Sequence, residues 1–146
     1  MIKFLPTIDA PASTKLPQRS TQFSAGYDFY ASTDIFVPAG GESVLIPLNI
    51  KAIMPGDMVL MLFIRSSLAV KFNLSLVNSV GIIDSDYANN KDNDGNIGVK
   101  FRNNGSETII IREGERCAQG IFVRYCVTSD DKVSAVRGGG YGSTGR

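Results

Sequence analysis

The hydrophobic and polar positions of this chain follow the short periods of β-strands over most of its length. Residues 58–64, MVLMLFI, form an unbroken apolar run, which is typical of a strand buried on both faces. Ile97, Val99 and Phe101 alternate with polar residues, as in a strand with one buried face. Residues 43–53 predict one further strand, whose proline suits a sheet edge or a bulge.

Turn signals separate these strands at short intervals. Clusters of Gly, Pro, Asn or Glu lie at 38–41, 55–57, 103–105 and 113–115. Such spacing favours a sandwich, a jelly roll or a barrel. One short helix is indicated over residues 66–71, with Ser66 as the residue that caps it. We therefore predict an all-β fold with one short helix.

Composition and charge narrow the classes of function. With 146 residues and 43% hydrophobic side chains, the chain can form one domain with a sizeable core. Its formal net charge of +1 provides no basic field for nucleic acid and no acidic excess that would favour disorder. No apolar segment approaches a membrane span, and Pro6 and Asp9 interrupt the apolar start. We expect a cytoplasmic protein that binds neither nucleic acid nor membrane.

The cysteine and histidine content restricts the chemistry further. Cys117 and Cys126 are nine residues apart on what reads as one strand, so they face opposite sides and are expected to be reduced, apolar residues. A disulfide or metal pair is the minor alternative. The chain contains no histidine, which removes Ser-His and Cys-His nucleophiles. Acid–base chemistry must then use carboxylates, water or a hard metal ion.

Two segments that break the strand pattern carry candidate chemistry. Arg65 follows the apolar strand and precedes two hydroxyl residues, which indicates an anion site, although an ordinary helix cap explains the pattern equally well. In residues 78–87, NSVGIIDSDY, Asp84 and Asp86 share a face if the strand is extended. Such a pair can hold Mg²⁺ and orient a water molecule. A hairpin with polar turn residues is the alternative.

Three other segments are more ambiguous. Residues 25–31, AGYDFYA, read as a turn that enters a strand, and Arg116 and Gln119 can contact a phosphate or cap a strand end. The tail, residues 137–146, holds five of the fifteen glycines. Its backbone N–H groups can wrap an anion, whereas disorder is the simpler explanation. Residues 89–95, NNKDNDG, predict a solvated loop tip.

Taken in order, these segments resemble one family closely. AGYDFYA, RSSLA, NSVGIIDSDY with the later GNIGV, RCAQ and RGGGYGSTG are similar to the five ordered motifs of the trimeric deoxyuridine triphosphate nucleotidohydrolases, the dUTPases. The resemblance runs from about residue 24 to the last residue. NSVGIIDSDY and GGYGSTG are its most specific parts. The short length and a variant loop suit a phage or bacterial member.

The resemblance implies a fold, an assembly and an activity. The fold would be a jelly-roll-like distorted β-barrel over residues 1–136, with residues 137–146 as a flexible lid. The assembly would be a homotrimer in which every active site draws motifs from all three chains. The activity would be hydrolysis of dUTP to dUMP and pyrophosphate with Mg²⁺, which limits uracil incorporation into DNA and supplies dUMP for dTMP synthesis.

The resemblance also implies roles for individual residues. Asp84 would position and activate the attacking water, Tyr87 would pack on the deoxyribose, and Tyr141 would stack on the uracil. Asp28 would support the hydrated metal indirectly, through water, together with nearby arginines. The expected substrate-binding residues are Arg65, Ser66, Ser67, Asn78, Gly81, Ile83, Tyr87, Gln119, Arg137, Tyr141, Gly142, Ser143 and Thr144.

Departures from the family pattern define the alternatives. Residues 88–95 read as an insertion, so a nucleotide-sensing regulatory protein that binds a partner through this loop is a second hypothesis. Arg137 stands four residues before Tyr141, where five is commoner, which leaves its role open. A deoxycytidine triphosphate deaminase would need a glutamate base, and none lies between Asn78 and Tyr87. In cells infected by a phage, the location would be the host cytoplasm.

Overall fold

A computed structural model describes residues 1–145 of the protein. Within this range the chain is all-β, with one α-helix, α1 (Ser66–Phe72), and one 3₁₀ turn, Ser85–Tyr87. The strands are β1 (Lys3–Pro6), β2 (Gln18–Arg19), β3 (Tyr27–Tyr30), β4 (Ile35–Val37), β5 (Ile46–Pro47), β6 (Ile50–Ile53), β7 (Met58–Ile64), β8 (Leu74–Leu76), β9 (Gly81–Asp84), β10 (Gly98–Val99), β11 (Phe101–Asn103), β12 (Ile109–Ile111) and β13 (Arg116–Arg124).

A five-stranded antiparallel sheet forms the centre of the fold, with the order β2-β3-β13-β7-β9. β7 lies between β13 and β9, and β9 is an edge strand. Four further pairs, β1–β6, β5–β10, β4–β12 and β8–β11, surround this sheet. Met58, Leu60 and Leu62 of β7 are buried, whereas the alternate residues are only partly buried. The strand was predicted correctly, but its burial on both faces was not.

The core joins apolar side chains from nearly every strand. Phe4 lies at the centre of an aromatic cluster, with ring centroids 5.3 Å from Tyr27, 5.3 Å from Phe29 and 5.2 Å from Phe122. Edge-to-face packing of this kind stabilises a core beyond the area that it buries. The cluster joins β1 to both β3 and β13. The sheet that carries several candidate residues therefore packs against this aromatic group.

Two strand predictions have different outcomes. Ile97, Val99 and Phe101 are all buried, so their predicted inward face is confirmed. The single strand predicted through them is divided into β10 and β11, which pair with β5 and β8, and Ile97 lies outside both. The single strand over 43–53 is wrong, because the chain forms β5 and β6 as separate strands with different partners. Asn49 lies between them with a φ of 62°, a left-handed conformation that interrupts an extended strand.

The helix was predicted in the right place with the wrong cap. Arg65 is the N-cap residue, no side chain caps the helix, and Ser66 is its first helical residue. The helix ends at Asn73, whose φ of 55° is typical of a left-handed C-terminal residue. None of the helices within residues 1–145 has the length and apolar character needed to cross a membrane.

Both cysteines are free thiols. Cys117 lies in β13 and is fully buried, while Cys126 lies beyond the end of that strand and is exposed. Burial raises the pKa of the Cys117 thiol to about 12, which keeps it protonated. Their opposite environments agree with the predicted opposite facing, although only Cys117 belongs to a strand.

Candidate functional site

One group of charged residues surrounds the carboxylate of Asp28, which is buried in β3. Its Oδ2 accepts a hydrogen bond from the Ser20 hydroxyl at 2.6 Å. Arg65 donates from Nε to Oδ1 at 2.9 Å, and Arg116 lies 3.4 Å away. Burial acts to raise the pKa of Asp28, but these hydrogen bonds and the two positive charges together hold it below its ordinary value. One carboxylate thus serves two arginines, and we call this group the arginine cluster.

The arginine cluster lines an open cavity of about 320 Å³. Strand register explains why, since Gln119 of β13 pairs with Asp28 on one side and with Phe63 of β7 on the other. A Cβ on Gly26 would lie 2.6 Å from the Gln119 Oε1, so glycine leaves room for this amide. The lining residues are Ser20, Ser24, Ala25, Gly26, Asp28, Arg65, Ser66, Gln119 and Ile121.

Four of the predicted residues, Asp28, Arg65, Ser66 and Gln119, therefore meet around one cavity, and the Arg65 guanidinium also reaches the Ser67 hydroxyl at 3.4 Å. Sequence reasoning missed Ser20. It precedes the first motif and carries no signal of its own, because only the β2–β3 pairing brings it to Asp28.

A second group has the opposite composition. Asp84 ends β9, and Asp86 lies in the 3₁₀ turn that follows. Both bind the guanidinium of Arg137: its Nη2 lies 2.6 Å from the Asp84 Oδ2, and its Nε lies 2.8 Å from the Asp86 Oδ1. The prediction that the two carboxylates share a face on an extended strand is wrong in its geometry. The 3₁₀ turn brings them together instead, and we call this group the carboxylate cluster.

Two tyrosines stand beside the carboxylate cluster. Tyr87 is buried and donates a hydrogen bond from its hydroxyl to the Asn96 carbonyl oxygen at 2.9 Å. The Tyr141 ring contacts it edge-on, with centroids 6.2 Å apart. Most of Tyr141 faces solvent, but its hydroxyl is inserted against Gly98, and this local burial raises its pKa. Much of the Tyr141 side chain thus remains accessible to a ligand.

The rest of the tail folds back on itself. Ser143 donates from its hydroxyl to the Gly139 carbonyl at 2.9 Å, and Gly142 has a φ of 74°, which glycine adopts without strain. Thr144 is exposed. Arg146, the last residue of the predicted lid, lies outside the described residues.

The predicted solvated tip at 89–95 is confirmed only in part, because Asn89, Lys91 and Asp92 are exposed but the loop is held by other segments. Asp94 binds Lys51 and the backbone N–H of Ile8, and Asp92 accepts from the backbone N–H of Gly140, each at 2.8 Å. The loop is held between the body of the protein and the tail.

The two clusters lie far apart within one chain. Asp84 pairs with Val59 near the start of β7, whereas Arg65 follows the last residue of that strand. Six residues of extended chain between Val59 and Arg65 span about 20 Å.

Asn78 lies in an exposed turn before β9, and β8 and β9 pair with different strands rather than forming a hairpin with each other.

Comparison with known proteins identifies the family. The family model described as dUTPase matches residues 12–145. The deoxyuridine 5'-triphosphate nucleotidohydrolase of Lactococcus lactis is 44% identical over 137 residues, which cover 92% of this chain and 90% of the relative. The chain belongs to the dUTPase family.

Solved dUTPase structures match the fold. The crystal structure of the Streptococcus mutans dUTPase superposes with a TM-score of 0.81 at 38% identity and covers 87% of this chain and 98% of its own. A variant dUTPase from phage phi11 of S. aureus, whose structure reveals a structural Mg(II) ion, gives a TM-score of 0.75 at 19% identity, with 92% and 97% covered. The predicted all-β, jelly-roll-like fold is confirmed.

The dUTPase-family chain has oxygen ligands but no compact protein cage for a metal. Within residues 1–145, no three side chains of Asp, Glu, Cys or His lie close enough together to hold an ion. Both Asp28 oxygens accept hydrogen bonds from Ser20 or the arginines. The carboxylates of Asp84 and Asp86 are about half exposed and suit the hard oxygen ligation that Mg²⁺ prefers. This donor set fits an ion that a polyphosphate ligand also holds.

Proposed function

We propose that this protein hydrolyses dUTP to dUMP and pyrophosphate with Mg²⁺, as a homotrimer with shared active sites in the cytoplasm. The observation that carries the proposal is the meeting of Asp84, Tyr87, Arg137 and Tyr141 at one place in a chain of the dUTPase family. The name of the L. lactis relative, deoxyuridine 5'-triphosphate nucleotidohydrolase, states the same reaction for that protein.

The Asp84 carboxylate orients and activates the water that attacks the α-phosphorus. Its side chain is about half exposed, so a water molecule can reach it. Because carboxylates are weak bases at neutral pH, alignment of this water supplies much of the rate enhancement. Arg137 now holds the Asp84 Oδ2, and in the reacting complex the phosphates compete for the same guanidinium.

The uracil is read by backbone groups of β9. This strand is the edge of its sheet, so the N–H and C=O groups on its outer side are not used by a neighbouring strand of this chain. Asn78, Gly81 and Ile83 lie along this edge or just before it. A Cβ on Gly81 would lie 3.1 Å from the Leu62 Cβ, so glycine lets β9 pack tightly on β7. Fixed backbone groups reject cytosine because they would be left unpaired.

The tail closes the site. Tyr141 stacks its exposed face on the uracil, Tyr87 packs on the deoxyribose, and Gly142, Ser143 and Thr144 approach the phosphates. The edge contact between the two rings already aligns them when no nucleotide is bound. Residues 137–146 act as the lid, and residues 1–136 form the barrel that carries it.

The phosphates bind the arginine cluster of a neighbouring chain. Arg65, Ser66, Ser67 and Gln119 supply donors around an open cavity, while Asp28 keeps the two arginines in place. The separation of about 20 Å from Asp84 along β7 is too long for one triphosphate, so a complete site requires more than one chain. The carboxylates of Asp28 and Asp84 would help hold Mg²⁺, which would supply charge neutralisation at the phosphates.

The regulatory alternative has no observation in its favour. The hydrogen bonds of residues 88–95 in the described chain include contacts within the loop and contacts to Lys51, Ile8, Tyr87 and Gly140.

The test is pyrophosphate release by the purified full chain with Mg²⁺ and dUTP, dTTP, dCTP or UTP. We expect turnover of dUTP alone, and loss of that turnover with EDTA. Equal turnover of dTTP or UTP would overturn the proposed specificity, and absence of pyrophosphate from dUTP would overturn the reaction.

A further inference from the structure

Residues 88–95 form a braced loop rather than a free one. Asn90 donates from Nδ2 to the Tyr87 carbonyl at 2.7 Å and accepts from the Asp92 backbone N–H at 3.0 Å. Asp94 lies 2.8 Å from the Lys51 ammonium, which ties the loop to β6. Gly95, with a φ of 80°, closes the loop so tightly that a Cβ would lie 2.6 Å from the Ala88 Cα. These contacts fix the loop, so it can support another segment of the chain.

The tail rests on this braced loop at one carboxylate. The backbone N–H of Gly140 donates to the Asp92 Oδ2 at 2.8 Å. Gly139 and Gly140 are both buried by this contact, although the residues around them are exposed. A Cβ on Gly139 would overlap Asp92 and lie 2.8 Å from its Cγ. A Cβ on Gly140 would lie 3.2 Å from the Asn93 Nδ2, so the loop also restricts that position.

The contact lies between the two places where the tail meets the carboxylate cluster. Arg137 binds Asp84 and Asp86 on one side of it, and Tyr141 contacts Tyr87 on the other. A hydrogen bond between a backbone N–H and a carboxylate is stronger than one between neutral groups. Fixing Gly140 thus reduces the conformational freedom that Arg137 and Tyr141 would otherwise lose when they bind a ligand.

We propose that Asp92 is a positioning residue for the C-terminal tail: its carboxylate holds the backbone of Gly139 and Gly140 against the inserted loop and so preorganises Arg137 and Tyr141. We call this contact the Asp92 latch. Its consequence for substrate affinity rests on the proposed function, whereas the contact itself does not. The latch assigns a structural role to residues 88–95. It also explains why glycine is needed at positions 139 and 140 without reference to phosphate binding.

The first test measures hydrogen exchange of the tail amides in the full-length protein without nucleotide. We expect Asp92→Ala to speed exchange in a peptide that contains Gly140 by about fivefold, as for loss of one hydrogen bond. Lys91→Ala, the matched control in the same loop, should leave that exchange unchanged. Peptides from β7 should exchange alike in all variants, which shows that the barrel is intact. Wild-type exchange in Asp92→Ala would overturn the latch.

A second variant approaches the latch from the tail. Gly139→Ala places a Cβ against Asp92, so it should speed exchange at Gly140 as Asp92→Ala does. In the double variant the overlap is gone, and the two effects should not add. Additive effects would show that Gly139 acts through something other than Asp92 and would overturn the latch.

Steady-state kinetics separate the latch from the proposed reaction. We expect Asp92→Ala to raise the KM for dUTP by about fivefold and to leave kcat within about twofold, because the latch acts on preorganisation. If wild-type protein does not hydrolyse dUTP, the proposed function fails, yet the exchange measurements still decide the latch. Faster exchange with an unchanged KM would overturn the positioning role.

Discussion

The two charged clusters of this protein are built from the same residue types in opposite proportions. In the arginine cluster, one buried carboxylate, Asp28, serves Arg65 and Arg116, which leaves a net positive charge beside an open cavity. In the carboxylate cluster, one arginine, Arg137, serves Asp84 and Asp86, which leaves a net negative charge. The charge of the first suits a polyphosphate, and the charge of the second suits an ordered water molecule.

The clusters also differ in how they are held. Asp28, Arg65 and Arg116 belong to the central sheet or adjoin it, so strand pairing fixes the first cluster before any ligand arrives. The second cluster is completed by a residue of the tail. Under the proposed function, anion binding would therefore be built into the barrel, whereas the carboxylate assigned to catalysis contacts a residue of the tail.

The largest expected effect comes from the reacting carboxylate. Asp84→Asn should lower kcat by about 10²- to 10⁴-fold with nearly unchanged nucleotide binding, because it removes the group that activates water. Pyrophosphate release and calorimetric titration with a non-hydrolysable dUTP analogue measure the two quantities.

Asp86→Asn is the matched control, since it removes the other exposed carboxylate on the same guanidinium and should cost about fivefold at most. Equal losses in the two variants would mean that the shared charge, rather than Asp84 itself, matters.

Mixing two inactive variants tests whether the opposite clusters meet between chains. At dUTP concentrations far below KM, Asp84→Asn alone should be nearly inactive, and Arg65→Ala alone should keep about a tenth of the wild-type activity. Co-expressed in equal amounts as a random trimer, they should recover about a quarter of the wild-type activity, because one site in four would draw both intact clusters from different chains. The measurement is specific activity of the purified mixed assembly. No recovery in mixed trimers would show that each chain supplies both clusters to its own site.

A smaller effect is expected when the arginine cluster alone is weakened. Arg65→Ala should raise the KM for dUTP about tenfold or more, since it removes a charged donor from the cavity. Arg65→Lys should recover only part of this affinity because lysine lacks the planar fork. Arg112→Ala is the matched control, as Arg112 pairs with Asp34 on the exposed surface away from the cavity. If Arg112→Ala raised the KM as much as Arg65→Ala, the assignment of Arg65 to the phosphate site would be wrong.

The smallest effect is a dependence of stability on pH. The pKa of Asp28 is lowered, so its contacts stabilise the folded state above the ordinary carboxyl pKa of about 3.9, and this contribution is lost as pH falls through the lower folded value. Asp28→Asn should therefore lower Tm by a few degrees at neutral pH. The difference in Tm between wild type and variant should shrink as the pH falls below the ordinary pKa toward about pH 3. Thermal scans at several pH values measure it; a constant difference would contradict the ion-pair explanation.

The periodic features of the sequence predicted most of the architecture. The β7 strand, the inward face of Ile97, Val99 and Phe101, and the short helix follow from hydrophobic spacing, which reflects burial directly. Residues 43–53 were misread because a left-handed Asn49 breaks an otherwise apolar β-branched run, and no periodicity reports such a break.

The motifs named more of the residues that the structure brings together than physical pattern did. The pairing of Asp84 with Asp86 was foreseen, but the 3₁₀ turn that joins them was not, because such a turn depends on local backbone bonding. Ser20 reaches Asp28 only through the β2–β3 pairing, and Asp92 contacts Gly140, which is distant in sequence, so neither contact has a local sequence signal. Composition made residues 89–95 look solvated, whereas pairing with Lys51 and the tail satisfies their polar groups.

The strand β7 also sets a length. Because it is hydrogen-bonded to β9 on one edge and to β13 on the other, it acts as a rigid spacer between Asp84 and Arg65. Inserting one residue after Val59 would move the far end of the strand by about 3.3 Å and turn Leu60 and Leu62 away from the core. The length of β7 therefore sets the distance between carboxylates and arginines in any assembly that joins one chain's carboxylates to another chain's arginines.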